Sequence, residues 1–114
     1  MAYEAHLTRA DLWVYDKEPI TFEEVKELTL PDGFEAVENG SFSDGAVSIS
    51  LEKCAVYTRP DGVKNFLIFG NGAPSFKMLS EEDATPFIKL AELLGAKVQG
   101  DDGEIYTHEG VQWE

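Results

Sequence analysis

Three carboxylates are concentrated in one short segment of the chain, VQGDDGEIY, which spans residues 98–106. Such a group can hold a metal ion, act as a general acid and base, or close a turn. A calcium loop needs oxygen ligands at alternating positions, but the third and fifth positions counted from Asp101 are Gly103 and Ile105. Asp102-Gly103 is a favoured pair for a two-residue hairpin turn, in which both residues have positive φ. We therefore predict a hairpin turn and no metal site.

The other acidic clusters lack the features that catalysis requires. A general acid needs a raised pKa, which comes from burial beside an apolar wall or a second carboxylate. Adjacent residues on a helix or turn do not face each other and usually lie in water. This applies to Glu23-Glu24, Glu81-Glu82-Asp83 and Asp101-Asp102. We predict no catalytic residue and no enzymatic activity.

A cysteine–histidine site is the remaining chemical possibility. Cys54 is the single cysteine, and His6 and His108 lie far from it and from each other in the sequence. Cys54 begins an apolar segment, which is typical of a buried structural thiol. Neither histidine has metal-ligand spacing to another donor, so we predict no cofactor.

Charge is the strongest signal in the composition. The 114 residues include 22 acidic and 9 basic side chains, a formal net charge of −13. Nucleic acid and anionic membranes would be repelled, whereas a basic protein would be attracted; the acidity could also serve solubility alone. The sequence shows no signal peptide at its start and no apolar stretch long enough for a membrane span. We expect a cytoplasmic protein with no nucleic-acid or membrane partner.

Apolar periodicity predicts a single α+β domain over residues 1–114, with a mainly antiparallel sheet and two helices. Strands are predicted over residues 3–9, 34–40 and 46–59, and a helix over 21–28 begins at a Thr21–Glu24 capping box. A turn at 60–62 makes a hairpin of 53–59 and 63–69. Residues 70–74 read as a loop and 76–78 as a short strand. The second helix follows Ser80 or Thr85-Pro86 and ends at Gly95, and 96–99 pairs with 104–107.

Large aromatic residues in segments of weak secondary structure are either core residues or interface anchors. For Trp13 and Tyr15 we favour a position in the core, and for Trp113 a core position and an anchor role are equally supported. Residues 101–114 contain five acids and no Lys or Arg, and residues 16–27 contain five acids and two lysines. If these stretches share a face, Asp101, Asp102 and Glu104 would surround an anchor at Trp113 or Trp13.

Three segments, HLTRADLW, ITFEEVKEL and AELLGAKVQGDDGEIY, resemble a group of small, uncharacterised bacterial proteins. Those proteins open with a strand and Thr-Arg, carry a Trp soon after, and end on a Gln-Gly-Asp-Asp-Gly-Glu-x-Tyr motif. The resemblance covers roughly residues 6–28 and 91–106 of this chain. Some such proteins occur beside toxin-immunity systems, so the resemblance implies an immunity role.

We therefore expect a non-enzymatic binding protein that neutralises a basic partner such as a toxin domain or a nuclease. The alternative is an α+β domain that binds a small molecule or serves as a subunit of a larger complex. An enzyme that uses scattered carboxylates is the least favoured hypothesis. The sequence leaves the oligomeric state open.

Overall fold

The chain folds around one antiparallel sheet. The computed structural model describes residues 3–44, 47–70, 72–78 and 80–113, with side chains described outside residues 40–51. In these ranges the sheet has eight strands in the order β2-β3-β4-β5-β1-β6-β7-β8. Their bounds are β1 Tyr3–Thr8, β2 Phe34–Asp44, β3 Val47–Thr58, β4 Lys64–Gly70, β5 Gly72–Met78, β6 Lys97–Gly100, β7 Ile105–Thr107 and β8 Gly110–Gln112.

The first strand lies inside the sheet and connects its two halves. β1 pairs with β5 on one side and with β6 on the other, both antiparallel. Ala5 and Leu7 are fully buried in the main apolar core, while His6 and Thr8 point to the other face because side chains alternate along a strand. His6 and Thr8 are nevertheless buried as well. Another layer therefore covers the second face, and it comes from the segment that follows β1.

Two α-helices are described, and both contribute to the apolar core. α1, Phe22–Lys26, begins at the predicted capping box: the Thr21 hydroxyl accepts from the Glu24 N–H, and the Glu24 carboxylate accepts from the Thr21 N–H. α2, Thr85–Leu93, follows a short 3₁₀ helix over Glu81–Ala84. Its buried apolar residues and the C-cap residue Leu94 belong to one cluster with Ala5, Leu7 and Val98; the helix residues are Phe87, Ile88, Leu90 and Ala91.

The predicted fold class is confirmed, and so are the hairpin of β3 and β4 and the end of α2 at Gly95, which has a φ of +65°. Two predictions about strands need correction. β2 does not end at residues 39–40 but continues to Asp44, because Asn39 takes a φ of +61° and pairing with β3 resumes after it. Residues 72–74 are not loop but the start of β5, in which Pro74 is buried. β8 was not predicted at all.

Three residues of the predicted segments, Ala46, Asn71 and the acid Glu114, lie outside the described ranges. Within those ranges no helix is both long and apolar enough to cross a membrane.

Candidate protein-binding face

The acidic segment forms the connection between β6 and β7, but its geometry differs from the predicted two-residue turn. The Gly103 N–H donates to the Gly100 carbonyl (3.0 Å), and the Gly100 N–H donates to the Glu104 carbonyl (2.8 Å). Gly103 has a φ of +91°, whereas Asp102 does not adopt positive φ. The loop therefore has three residues, Asp101 to Gly103, with glycine in the left-handed position that a three-residue hairpin loop requires.

Glu104 lies beneath this loop on the same side of the sheet as the helices. Its side chain is only 5% exposed, and Oε2 accepts hydrogen bonds from the Tyr3 hydroxyl (2.5 Å) and the Tyr106 hydroxyl (2.9 Å). Burial and the neighbouring carboxylate raise the pKa of Tyr3 to about 12 and raise that of Tyr106 further. The carboxylate lies directly over the Cα of Gly100. Glu104 thus fastens the loop from below and does not present its charge to a partner.

Asp101 fastens the same loop on the opposite face. Its carboxylate accepts from the backbone N–H of Glu4 (3.1 Å) and contacts Nε2 of the buried His6 (2.9 Å). The imidazole of His6 stacks on the indole of Trp13, with ring centroids 3.6 Å apart and planes 9° from parallel. Asp101 remains partly exposed at 38% of its side chain. The acidic loop and the segment after β1 are therefore joined through His6.

Gln99 makes a second connection between the loop and that segment. Its side-chain oxygen accepts from the backbone N–H of Trp13 (2.7 Å), and its amide nitrogen donates to the backbone carbonyls of Asp11 (3.2 Å) and Gly103 (3.1 Å). Gln99 is fully buried, so each of these bonds is shielded from water and would be costly to break. The 3₁₀ helix Trp13–Tyr15 is held against the sheet by these contacts.

The residues around Trp13 are the most exposed apolar side chains of this region. Leu12 is 41% exposed, Val14 59% and Tyr15 72%, while Trp13 is half-buried by its stacking on His6. The expectation that Tyr15 lies in the core is therefore wrong. Leu12 and Val14 were not singled out from the sequence, although four consecutive apolar residues, LWVY, between acidic ones were a visible signal.

We name this surface the docking face and define it by the exposed apolar residues Leu12, Val14 and Tyr15 and the acidic loop residues Asp101 and Asp102. The two parts adjoin, since a Cβ placed on Gly103 would lie 3.7 Å from Leu12 Cδ2. Asp11, Asp16 and Glu18 add acidic groups along the same segment, and Lys17 is the one basic residue between positions 10 and 18.

Trp113 lies at the same end of the sheet. β8 pairs with β7 in antiparallel register, with Gln112 opposite Ile105. Trp113 follows Gln112, and Glu104 precedes Ile105. Its side chain is 69% exposed. Extended by one residue, this register places Trp113 opposite Glu104, next to the acidic loop; no contact joins it to Trp13 within the described residues.

The second acidic stretch joins the docking face only in part. Glu23 and Glu24 of α1 are paired with Lys53 (3.5 Å) and Arg9 (2.9 Å). The Thr21 N–H and the Arg9 guanidinium lower the pKa of Glu24. These two acids are therefore engaged with bases of the same chain. Only the start of the stretch, at Asp16 and Glu18, directly follows the 3₁₀ helix Trp13–Tyr15 of the docking face.

The residues considered for chemistry are kept apart. Cys54 is buried in β3, and burial raises the pKa of its thiol. His108 contacts Glu92 on the surface (2.8 Å), whereas His6 contacts Asp101, so the two histidines have different acidic partners. Among the described residues no three His, Cys, Asp or Glu side chains are grouped as a metal site would need.

Comparison of the chain with protein-family models, curated proteins and solved structures found no match.

Proposed function

We propose that this protein is a non-enzymatic binding protein whose docking face engages a basic protein, in the manner of an immunity protein that neutralises a toxin or nuclease. The observation that carries the proposal is the exposure of Leu12, Val14 and Tyr15 beside the acidic loop. Exposed apolar groups that lie together mark interaction surfaces more often than isolated ones do.

The surface has the composition that protein interfaces favour. An apolar centre that includes a tyrosine supplies the contacts that determine the lifetime of a complex. Acidic groups around it steer a basic partner and accelerate association. A nuclease or another nucleic-acid-binding protein carries a basic surface for its own substrate, which makes it a chemically suitable partner for a chain of net charge −13.

The anchoring of the face supports binding in preference to catalysis. Glu104 and Asp101 bond to Tyr3, Tyr106 and His6 and thereby fix the loop. A surface that is already ordered loses less conformational entropy when it binds. The carboxylates best placed for chemistry thus have structural partners.

The test uses capture from the native cell followed by kinetics with the purified partner. One variant removes Asp102 of the docking face and two acids of the adjoining segment, none of whose side chains has a bond in the described structure: Asp11→Asn, Glu18→Gln and Asp102→Asn. The matched control removes the same charge elsewhere, at Glu27, Glu52 and Glu109, each changed to Gln. A third variant, Tyr15→Ala, removes the most exposed anchor of the face.

We expect the captured partner to be a basic protein. Its rate of association with this chain should fall as salt is added, because exposed charges are screened beyond about 8 Å at physiological ionic strength. The face variant should slow association roughly tenfold more than the control, and Tyr15→Ala should mainly speed dissociation. The role of the docking face would be refuted if the face variant and its control changed the association rate equally. It would also be refuted if Tyr15→Ala left binding of the captured partner unchanged. The same result would leave the acidity as a solubility property.

A further inference from the structure

An open cavity of about 460 Å³ lies where α2 begins, beside the start of β2 and the turn between β3 and β4. It is built from residues that the docking face does not use. Its walls combine prolines, aromatic rings and charges of both signs, contributed by Pro31, Asp32, Phe34, Tyr57, Arg59, Pro60, Asn65, Ser80, Glu82, Asp83, Thr85, Pro86 and Lys89. Its size falls within the range of small-molecule sites.

The apolar wall of the cavity is ordered before any ligand arrives. Phe34 and Tyr57 lie 5.0 Å apart between ring centroids, and both pack edge-on against the buried Phe87. The ring of Tyr57 lies on the backbone of Gly33, where a Cβ would come within 2.7 Å of Cε1. Gly33 has a φ of +90°, so glycine both permits the turn and leaves space for the ring. A planar apolar group would find a fixed surface here.

Polar groups with unused bonding capacity line the same cavity. In the described part of the chain neither the Tyr57 hydroxyl nor the Lys89 ammonium has a hydrogen-bond partner, and the Arg59 guanidinium bonds only Asp61, through one nitrogen. These three groups can donate to a carboxylate. Asp32 and Glu82 lie at the exposed rim and can accept from an ammonium group.

We infer that this cavity binds a small zwitterion with an aromatic side group, that is, a free aromatic amino acid. The ring would lie against Phe34 and Tyr57, the carboxylate near Arg59 and Lys89, and the ammonium near the rim acids. A simple anion fits less well, because the lining carries three acids against two bases and the whole chain carries −13. A zwitterion has no net charge, so the overall field of the protein does not oppose it.

The probes are L-phenylalanine, phenylacetate, which lacks the ammonium group, and phenethylamine, which lacks the carboxylate. Binding is followed by calorimetry and by chemical shifts of the Phe34 and Tyr57 rings. Lys89→Gln removes one cation of the lining from an exposed helix position, and Lys17→Gln removes the same charge outside the cavity. Both variants retain the core contacts of the fold.

We expect saturable binding of L-phenylalanine with a dissociation constant near 1 mM or below, and shifts confined to the cavity. Lys89→Gln should weaken this binding about tenfold, as loss of a hydrogen bond to a charged group does, and Lys17→Gln should leave it unchanged. Phenylacetate and phenethylamine should each bind at least about tenfold more weakly than L-phenylalanine. Absence of saturable binding, equal effects of the two lysine variants, or equal binding of either truncated probe would overturn the inference. Because the docking face shares no residue with the cavity, none of these results bears on the proposed protein partner.

Discussion

Replacement of Gly100 by alanine tests whether the carboxylate of Glu104 fixes the acidic loop. A Cβ at position 100 would lie 2.5 Å from Cδ and 2.6 Å from Oε2 of Glu104, and no atom outside that side chain is nearer. The carboxylate would have to leave its place, and the hydroxyls of Tyr3 and Tyr106 would lose their acceptor. A hydrogen bond to a charged group contributes about 1.5–3 kcal/mol. Two such bonds, partly replaced by water, predict a loss of about 3 kcal/mol in unfolding free energy.

Urea denaturation measures this loss, and two further proteins make the result specific. Gly70→Ala is the matched control, because a Cβ there meets nothing within 4 Å and the residue does not have positive φ; we expect a change below about 0.5 kcal/mol. Glu104→Ala is destabilising in its own right. In the Glu104→Ala background the new Cβ at position 100 no longer meets the Glu104 carboxylate. Gly100→Ala should then lower the unfolding free energy by less than about 1 kcal/mol. A cost that is the same with and without Glu104 would refute the role given to this carboxylate.

Three further predictions concern the same region. Gly103→Val should lower the unfolding free energy by at least about 1 kcal/mol, because a β-branched residue resists the observed φ of +91°; unfolding at the wild-type temperature would contradict the three-residue loop. The raised pKa of Tyr3, about 12, means that folding favours the neutral phenol, so this stabilisation is complete below the unfolded value of about 10. This stabilisation should be lost as pH rises through 12, so the urea midpoint of unfolding should fall over that range. In Tyr3→Phe the fall of the midpoint with pH should be less steep. Millimolar Ca²⁺ or Mg²⁺ should leave the melting temperature unchanged, since a cation at a hundred times its dissociation constant would add about 2.7 kcal/mol; a rise that EDTA reverses would establish a metal site.

The sequence was most informative where a local rule determines the structure. The Thr21–Glu24 capping box, the turn before β4 and the stop at Gly95 each depend on a few neighbouring residues. Strand and helix periodicities then led to the α+β class. The errors fell on features that depend on distant partners. Pro74 is buried in β5, although proline next to glycines normally indicates a loop.

The site was predicted less well, because the roles of its carboxylates depend on partners that are distant in the sequence. Nothing local distinguishes Glu104 from Asp102, yet one is buried between two tyrosines and the other is exposed. The tyrosine at position 3 comes close to Glu104 only because β1 lies between β5 and β6. Trp13 is a candidate anchor in the sequence, but its ring is stacked on His6 and half-buried, and the exposed apolar side chains here are those of its neighbours Leu12, Val14 and Tyr15.

The number of acids in the chain therefore overstates the charge that a partner can meet. Glu104 is committed to two phenols, Asp101 to His6 and a backbone N–H, and Glu24 to Arg9. The acids that remain exposed mainly set the association rate, whereas affinity depends on the apolar contacts that persist in the complex. In the proposed complex, Asp101 would act before the encounter, because its contact with His6, which stacks on Trp13, holds the segment with Leu12 and Tyr15 in one arrangement. On this argument a change at Tyr15 should cost more affinity than the removal of any single exposed carboxylate.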